Sequence, residues 1–96
     1  MTLETTRWDV TEFLDSDAAI AAYLDAVFEA GDPDEMRDAL RHVARANGMA
    51  ALAEAAGITR AGLYKALGED GNPSFATVVA VLKALGVKLA AKPAAA

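Results

Sequence analysis

The side chains best suited to chemistry on a partner cluster in the run Thr59-Arg60-Ala61-Gly62-Leu63-Tyr64-Lys65. Leu63 and Leu67 lie four apart and claim the inward face of a helix, which leaves Arg60, Ala61, Tyr64 and Lys65 pointing outward. An arginine in the first turn of such a helix can bond a guanine edge bidentately, and a lysine suits a phosphate oxygen. Thr59, just before it, is a side chain that caps helix N-termini. Enzyme chemistry finds much less support. The chain has no cysteine and one histidine, His42. That excludes a thiolate nucleophile, a disulfide framework and a zinc site of the usual Cys/His ligand count. No glycine-rich run precedes a Lys-Ser/Thr pair, and no paired acid and base stand out, so no catalytic residue, metal or cofactor is expected.

The elements that must position this run are helical. Alanine fills 24 of the 96 positions, proline three, and the β-branched residues never alternate for long. The pattern predicts an all-α fold of five helices. Residues 17–30 put Ile20, Leu24, Val27 and Phe28 on one face, with Gly31 as the stop. Asp32, Pro33 and Glu35 then form a start signal for a helix to about Asn47, with Met36, Leu40, Val43 and Ala44 inward and Gly48 closing it. A short apolar helix over Met49–Ala56 ends at Gly57, and Thr59 opens the next, Arg60–Leu67. The stretch 68–73, Gly-Glu-Asp-Gly-Asn-Pro, reads as loop. Ser74 caps a last helix whose expected inward stripe is Phe75, Val78, Val79, Leu82 and Leu85, ended by Gly86. Val87–Leu89 suits a short extended piece, and the terminal Lys-Pro-Ala-Ala-Ala should fray. The two short helices around Gly57 have the arithmetic of a helix-turn-helix: Ala53 small at the crossing, Gly57 turning with positive φ, Leu63 pinning the second helix.

Charge is segregated. Net charge is −5, but residues 1–48 carry −7 and residues 49–96 carry +2. Partners respond to local potential, so an acidic N-terminal part and a basic remainder imply different partners. The acids in residues 1–17 are incompatible with the apolar core of a secretory signal, and Asp25 and Lys83 interrupt the two longest apolar stretches. A cytoplasmic protein with no membrane partner is expected. A chain this short buries a modest core, which favours a shared interface with a second copy.

The run LAEAAGITRAGLYKALGEDGNPSFATVVAVLKALGVKL resembles the Cro/phage-repressor type of helix-turn-helix. More narrowly, it resembles the probable addiction-module antidote proteins, antitoxins paired with RelE/ParE-type toxins. The residues carrying the likeness are Thr59, Arg60, Leu63 to Leu67, Glu69 to Pro73 and Ala84-Leu85-Gly86, and upstream the AAYL, GDP and ALRHVARANGM segments. The likeness spans roughly residues 8–89. It implies a lambda-repressor-like five-helix domain that binds operator DNA, represses its own operon and neutralises its toxin. It implies a homodimer too, because such motifs read paired half-sites. Where relatives often carry a polar pair after the methionine, frequently including Gln, this chain has Ala50 and Ala51. Ala61 stands where an acid is common.

On this reading Thr59, Arg60, Tyr64 and Lys65 contact DNA, with Arg41 and Arg45 as supporting phosphate contacts. Arg37, Arg41 and Arg45 recur every four residues as a basic stripe, although Arg37 is better assigned to pairing with Asp34 and Asp38. His42 reads as a bystander. Trp8, Phe13 and Tyr23, set among acids, offer an apolar and acidic face to a basic toxin. Leu82, Leu85 and Val87 are the candidates for self-association if exposed. The chain divides into an acidic arm and helix (1–31), a helix-turn-helix domain (32–89) and a disordered tail (90–96). Two alternatives stand beside this reading: a stand-alone repressor without a toxin, and a protein-interaction module that does not bind DNA.

Overall fold

The computed structural model describes residues 16–94, and within them the chain forms five helices and no strand. They are α1 (Asp17–Phe28), α2 (Pro33–Asn47), α3 (Met49–Ala56), α4 (Arg60–Leu67) and α5 (Phe75–Ala84). Four of the five starts are capped by a side chain that accepts a backbone N–H three residues on. Ser16 takes that of Ala19, Asp32 that of Glu35, Thr59 that of Gly62 and Ser74 that of Thr77. Each such cap is worth about 1 kcal/mol. The fifth, α3, starts from Gly48 without a side-chain cap, directly after α2.

One core serves all five helices. Ile20 and Leu24 from α1 meet Ala39, Leu40, Val43 and Ala44 from α2. Met49, Leu52 and Ala53 from α3, Leu63 and Leu67 from α4, and Val81, Leu82 and Leu85 at the far end of the chain complete it. No polar or charged side chain is buried among the described residues. The cluster is therefore held by apolar burial and close packing alone. α3 touches α2, α4 and α5, which makes it the hub against which α4 is set.

The sequence expectations hold for the helix count and for most of the core, but three details change. Phe75 is 75% exposed instead of inward. As the first residue of α5 it projects away from the bundle, and the inward stripe is Val78, Val81, Leu82 and Leu85, with Val81 fully buried. Leu82 and Leu85 lie in the core, and Val87 packs against it. Leu82 and Leu85 are thus closed to self-association and Val87 is half-covered, while the exposed large apolar side chains of this half are Phe75 and Leu89, with Tyr64 on α4. Val87–Leu89 is irregular chain, not strand. Beyond it the chain passes along α1, where Lys92 Nζ lies 3.6 Å from Asp25 and 3.8 Å from Glu29. Among the described residues no helix is long and apolar enough to cross a membrane.

Candidate nucleic-acid interface

The residues between α3 and α4 explain how α4 is presented. Gly57 takes φ +75°, left-handed backbone that glycine adopts without strain, and its N–H closes α3 onto Glu54. Ile58 N–H returns to the Ala53 carbonyl at 3.0 Å, folding the chain back over the small residue where the two helices approach. Thr59 is extended and its Oγ1 accepts the Gly62 N–H at 2.9 Å. Three residues thus separate two short helices. Leu63 and Leu67 anchor the second to the core, as their spacing requires.

What remains of α4 faces solvent. Arg60, Ala61, Gly62 and Lys65 are exposed, and Tyr64 is 46% exposed. The Arg60 guanidinium carbon lies 5.7 Å from the centre of the Tyr64 ring, one turn along the helix. Arg60, Lys65 and the exposed Arg45 of α2 have no acid within ion-pair distance among the described residues. The Thr59 hydroxyl, having accepted one bond at the cap, still has a proton to donate. From its Thr59 cap to Lys65, α4 therefore exposes a hydroxyl, a guanidinium, an aromatic ring and an ammonium to solvent.

The other predicted cations are placed differently. Arg41 is half-buried, with Nη1 donating to the Leu67 carbonyl at 2.9 Å and pairing with Asp38 at 3.0 Å. Arg37 pairs with Asp38 at 3.1 Å and Asp34 at 3.4 Å, as its neighbours suggest, and also donates to the Gly71 carbonyl at 3.1 Å. Of the three stripe arginines, only Arg45 is exposed and without a partner among the described residues. Asp38 sits between the other two. Partial burial pushes its carboxyl up, but the Arg37 hydrogen bond and the Arg41 and Arg37 charges outweigh that and hold it below the usual carboxylate range.

A model of the family described as probable addiction module antidote protein matches residues 4–93. This chain belongs to that family. It is 43% identical over 88 residues to an uncharacterized protein of Haemophilus influenzae (strain Rd), across 92% of this chain and 91% of the relative. No solved structure matches.

An addiction module antidote has a toxin of some kind as its partner, which brings Trp8, Phe13 and Tyr23 back into view. Trp8 and Phe13 lie outside the described residues. Tyr23 does not stand free on the surface of the antidote: it is partly buried, and its hydroxyl shares a 3.1 Å hydrogen bond with His42 Nδ1, joining α1 to α2. Burial, and then the Asp38 charge, raise the tyrosine hydroxyl above its ordinary value. His42, read from sequence as a bystander, thus has a structural partner. The sequence reading missed the two carbonyl contacts of Arg37 and Arg41. Its available signal was Asp38, one residue after the first arginine and three before the second.

Proposed function

We propose that this antidote is the antitoxin of a type II toxin–antitoxin module, which binds operator DNA as a homodimer, represses its own operon and neutralises a RelE/ParE-type toxin in the cytoplasm. The observation that carries the DNA half is the exposed face of α4. Arg60 and Lys65 stand there without a counter-charge among the described residues, beside an exposed tyrosine and a capping threonine. A protein of net charge −5 that exposes two cations on one short helix has a local potential there suited to a polyanion. In the helix-turn-helix reading α4 is the recognition helix. Arg60 meets a base edge, Lys65 and Arg45 meet phosphates, and Thr59 donates its hydroxyl to the backbone. The toxin half rests on family membership and on the acidic N-terminal half, whose charge opposes that of a basic toxin.

The deciding experiment is fluorescence anisotropy with a duplex from the DNA upstream of the gene, at two salt concentrations, for wild type and Arg60→Ala. The expected result is binding in preference to random duplex, weakened by the substitution and by salt. Equal binding to the upstream and random duplexes would overturn sequence-specific autorepression by the free protein. Growth arrest by the product of the adjacent gene, relieved by co-expression of this chain, tests the toxin half. An adjacent gene without toxic effect would leave a stand-alone repressor.

A further inference from the structure

We infer that Asp38, acting through Arg37 and Arg41, is the positioning residue for the recognition helix, holding α4 at its exit end so that Arg60 is correctly placed at its entry end. This inference rests on the DNA-binding reading above and adds a group that touches no DNA. The last carbonyls of any α-helix lack intrahelical donors and need other partners. In α4 the usual remedy is missing: Gly68 is extended rather than left-handed, and its N–H reaches the Lys65 carbonyl only at 3.4 Å. The Leu67 carbonyl instead takes the Arg41 guanidinium at 2.9 Å, a charged donor at the negative end of the helix. Four residues on, the Gly71 carbonyl takes Arg37 at 3.1 Å. The two arginines lie one turn apart on α2, and one oxygen, Asp38 Oδ1, receives both of them.

The segment between the two held carbonyls turns back against α4. Gly71 N–H closes a turn onto the Gly68 carbonyl at 2.9 Å. A Cβ on Gly71 would collide with the backbone carbonyl of Ala66, so this chain lies directly against the last turn of α4. Both arginine side chains are largely covered, at 13% and 17% exposure, while Asp38 is at 37%. These two arginines thus fasten the end of α4 and the loop after it to α2. Solvated cations placed to track a phosphate backbone would stand free of such contacts.

Four proteins test this: wild type, Asp38→Asn, Arg41→Gln, and Lys65→Ala as the reference for a phosphate contact. Asp38→Asn makes the protein one unit more positive, so charge alone predicts equal or tighter binding to the upstream duplex. Positioning predicts the reverse, a loss on the order of tenfold, the scale of one charge-assisted hydrogen bond. The salt slope should stay at the wild-type value for Asp38→Asn and Arg41→Gln, and fall by about one for Lys65→Ala. Amide hydrogen exchange without DNA should quicken in the last turn of α4 and in 68–73, with α1 unchanged. Tighter or equal binding by Asp38→Asn overturns the inference. So does a slope reduced by about one in Arg41→Gln with unchanged exchange, which would make Arg41 a phosphate contact. If Arg41→Gln loses its fold, Asp38→Asn decides alone, since it removes no donor. A wild type indifferent to the upstream duplex would sink the DNA reading first and this inference with it, and that failure is visible before any variant is measured.

Discussion

Arg60 lies over the face of Tyr64, its guanidinium carbon 5.7 Å from the ring centre, one turn apart on the exposed side of α4. The ring's electron-rich face attracts the cation, and at an exposed site that is worth about 0.5–1 kcal/mol. The consequence for recognition is conformational. A long, flexible arginine is biased toward one orientation before it meets a partner, and less entropy is lost on binding. In the proposed reading, Tyr64→Ala should weaken operator binding less than Arg60→Ala does. Arg60→Ala should remove discrimination worth about 1–3 kcal/mol at the base it reads. Anisotropy titrations against single-base variants of the duplex measure both. A Tyr64→Ala protein with wild-type affinity would show that the stack orders nothing of value.

Buried and exposed apolar side chains should differ sharply in what their removal costs. Leu63 is fully buried between α4 and the rest of the core, and Leu63→Ala is expected to cost about 2–5 kcal/mol by lost burial and a residual cavity. Phe75, at 75% exposure, should tolerate alanine within about 0.5 kcal/mol despite its larger side chain. Urea unfolding of both variants, followed by helical circular dichroism, gives the comparison. A costly Phe75→Ala would mean that its ring is covered in solution, and a second copy of the chain would then be the first occupant to test by light scattering.

That contrast also marks how far the sequence could be read. Starts and stops were legible because they are local: Asp32-Pro33, Thr59 and Ser74 cap the residues beside them, and Gly48 and Gly57 end helices with positive φ, whereas α1 stops at Phe28, short of Gly31. The outward set on α4 was legible because Leu63 and Leu67 fix the helix phase. Phe75 was misread because its spacing fits the apolar stripe, but the first turn of α5 extends past the bundle, a fact of tertiary geometry. Arg41 was read as a surface cation for the same reason. Its carbonyl partner, Leu67, is 26 residues away, and no periodicity on α2 reports it.

Two glycines should behave differently on substitution by alanine. At Gly57 nothing lies within 4 Å of a new Cβ, and the penalty is the left-handed backbone alone, about 1–2 kcal/mol. At Gly71 the backbone has no need of glycine's left-handed region, but the new Cβ would meet the Ala66 carbonyl. Backbone cannot yield as a flexible side chain does, so the 68–73 loop must lift from α4 and the Arg37 contact to Gly71 must lengthen. Gly71→Ala should therefore quicken amide exchange locally in the last turn of α4, whereas Gly57→Ala lowers stability without that local signature. Identical exchange patterns in the two variants would contradict this account.

Acid should release the Asp38 contacts in a defined direction. Its carboxyl is held below the ordinary value of about 3.9 by the two arginines, so the folded protein binds its proton less readily than the unfolded chain. The resulting stabilisation is fully present above the ordinary carboxylate value and is lost as pH falls through the lower folded value. Wild type should accordingly be more stable than Asp38→Asn at pH 7, and the gap between their urea midpoints should shrink as pH drops below about 4. Tyr23 supplies an independent readout, because the Asp38 charge helps to raise its hydroxyl. In Asp38→Asn, ultraviolet titration should find that tyrosine ionising at lower pH than in wild type. A stability gap that stays constant from pH 7 to pH 3 would show that Asp38 acts through shape and not through its charge.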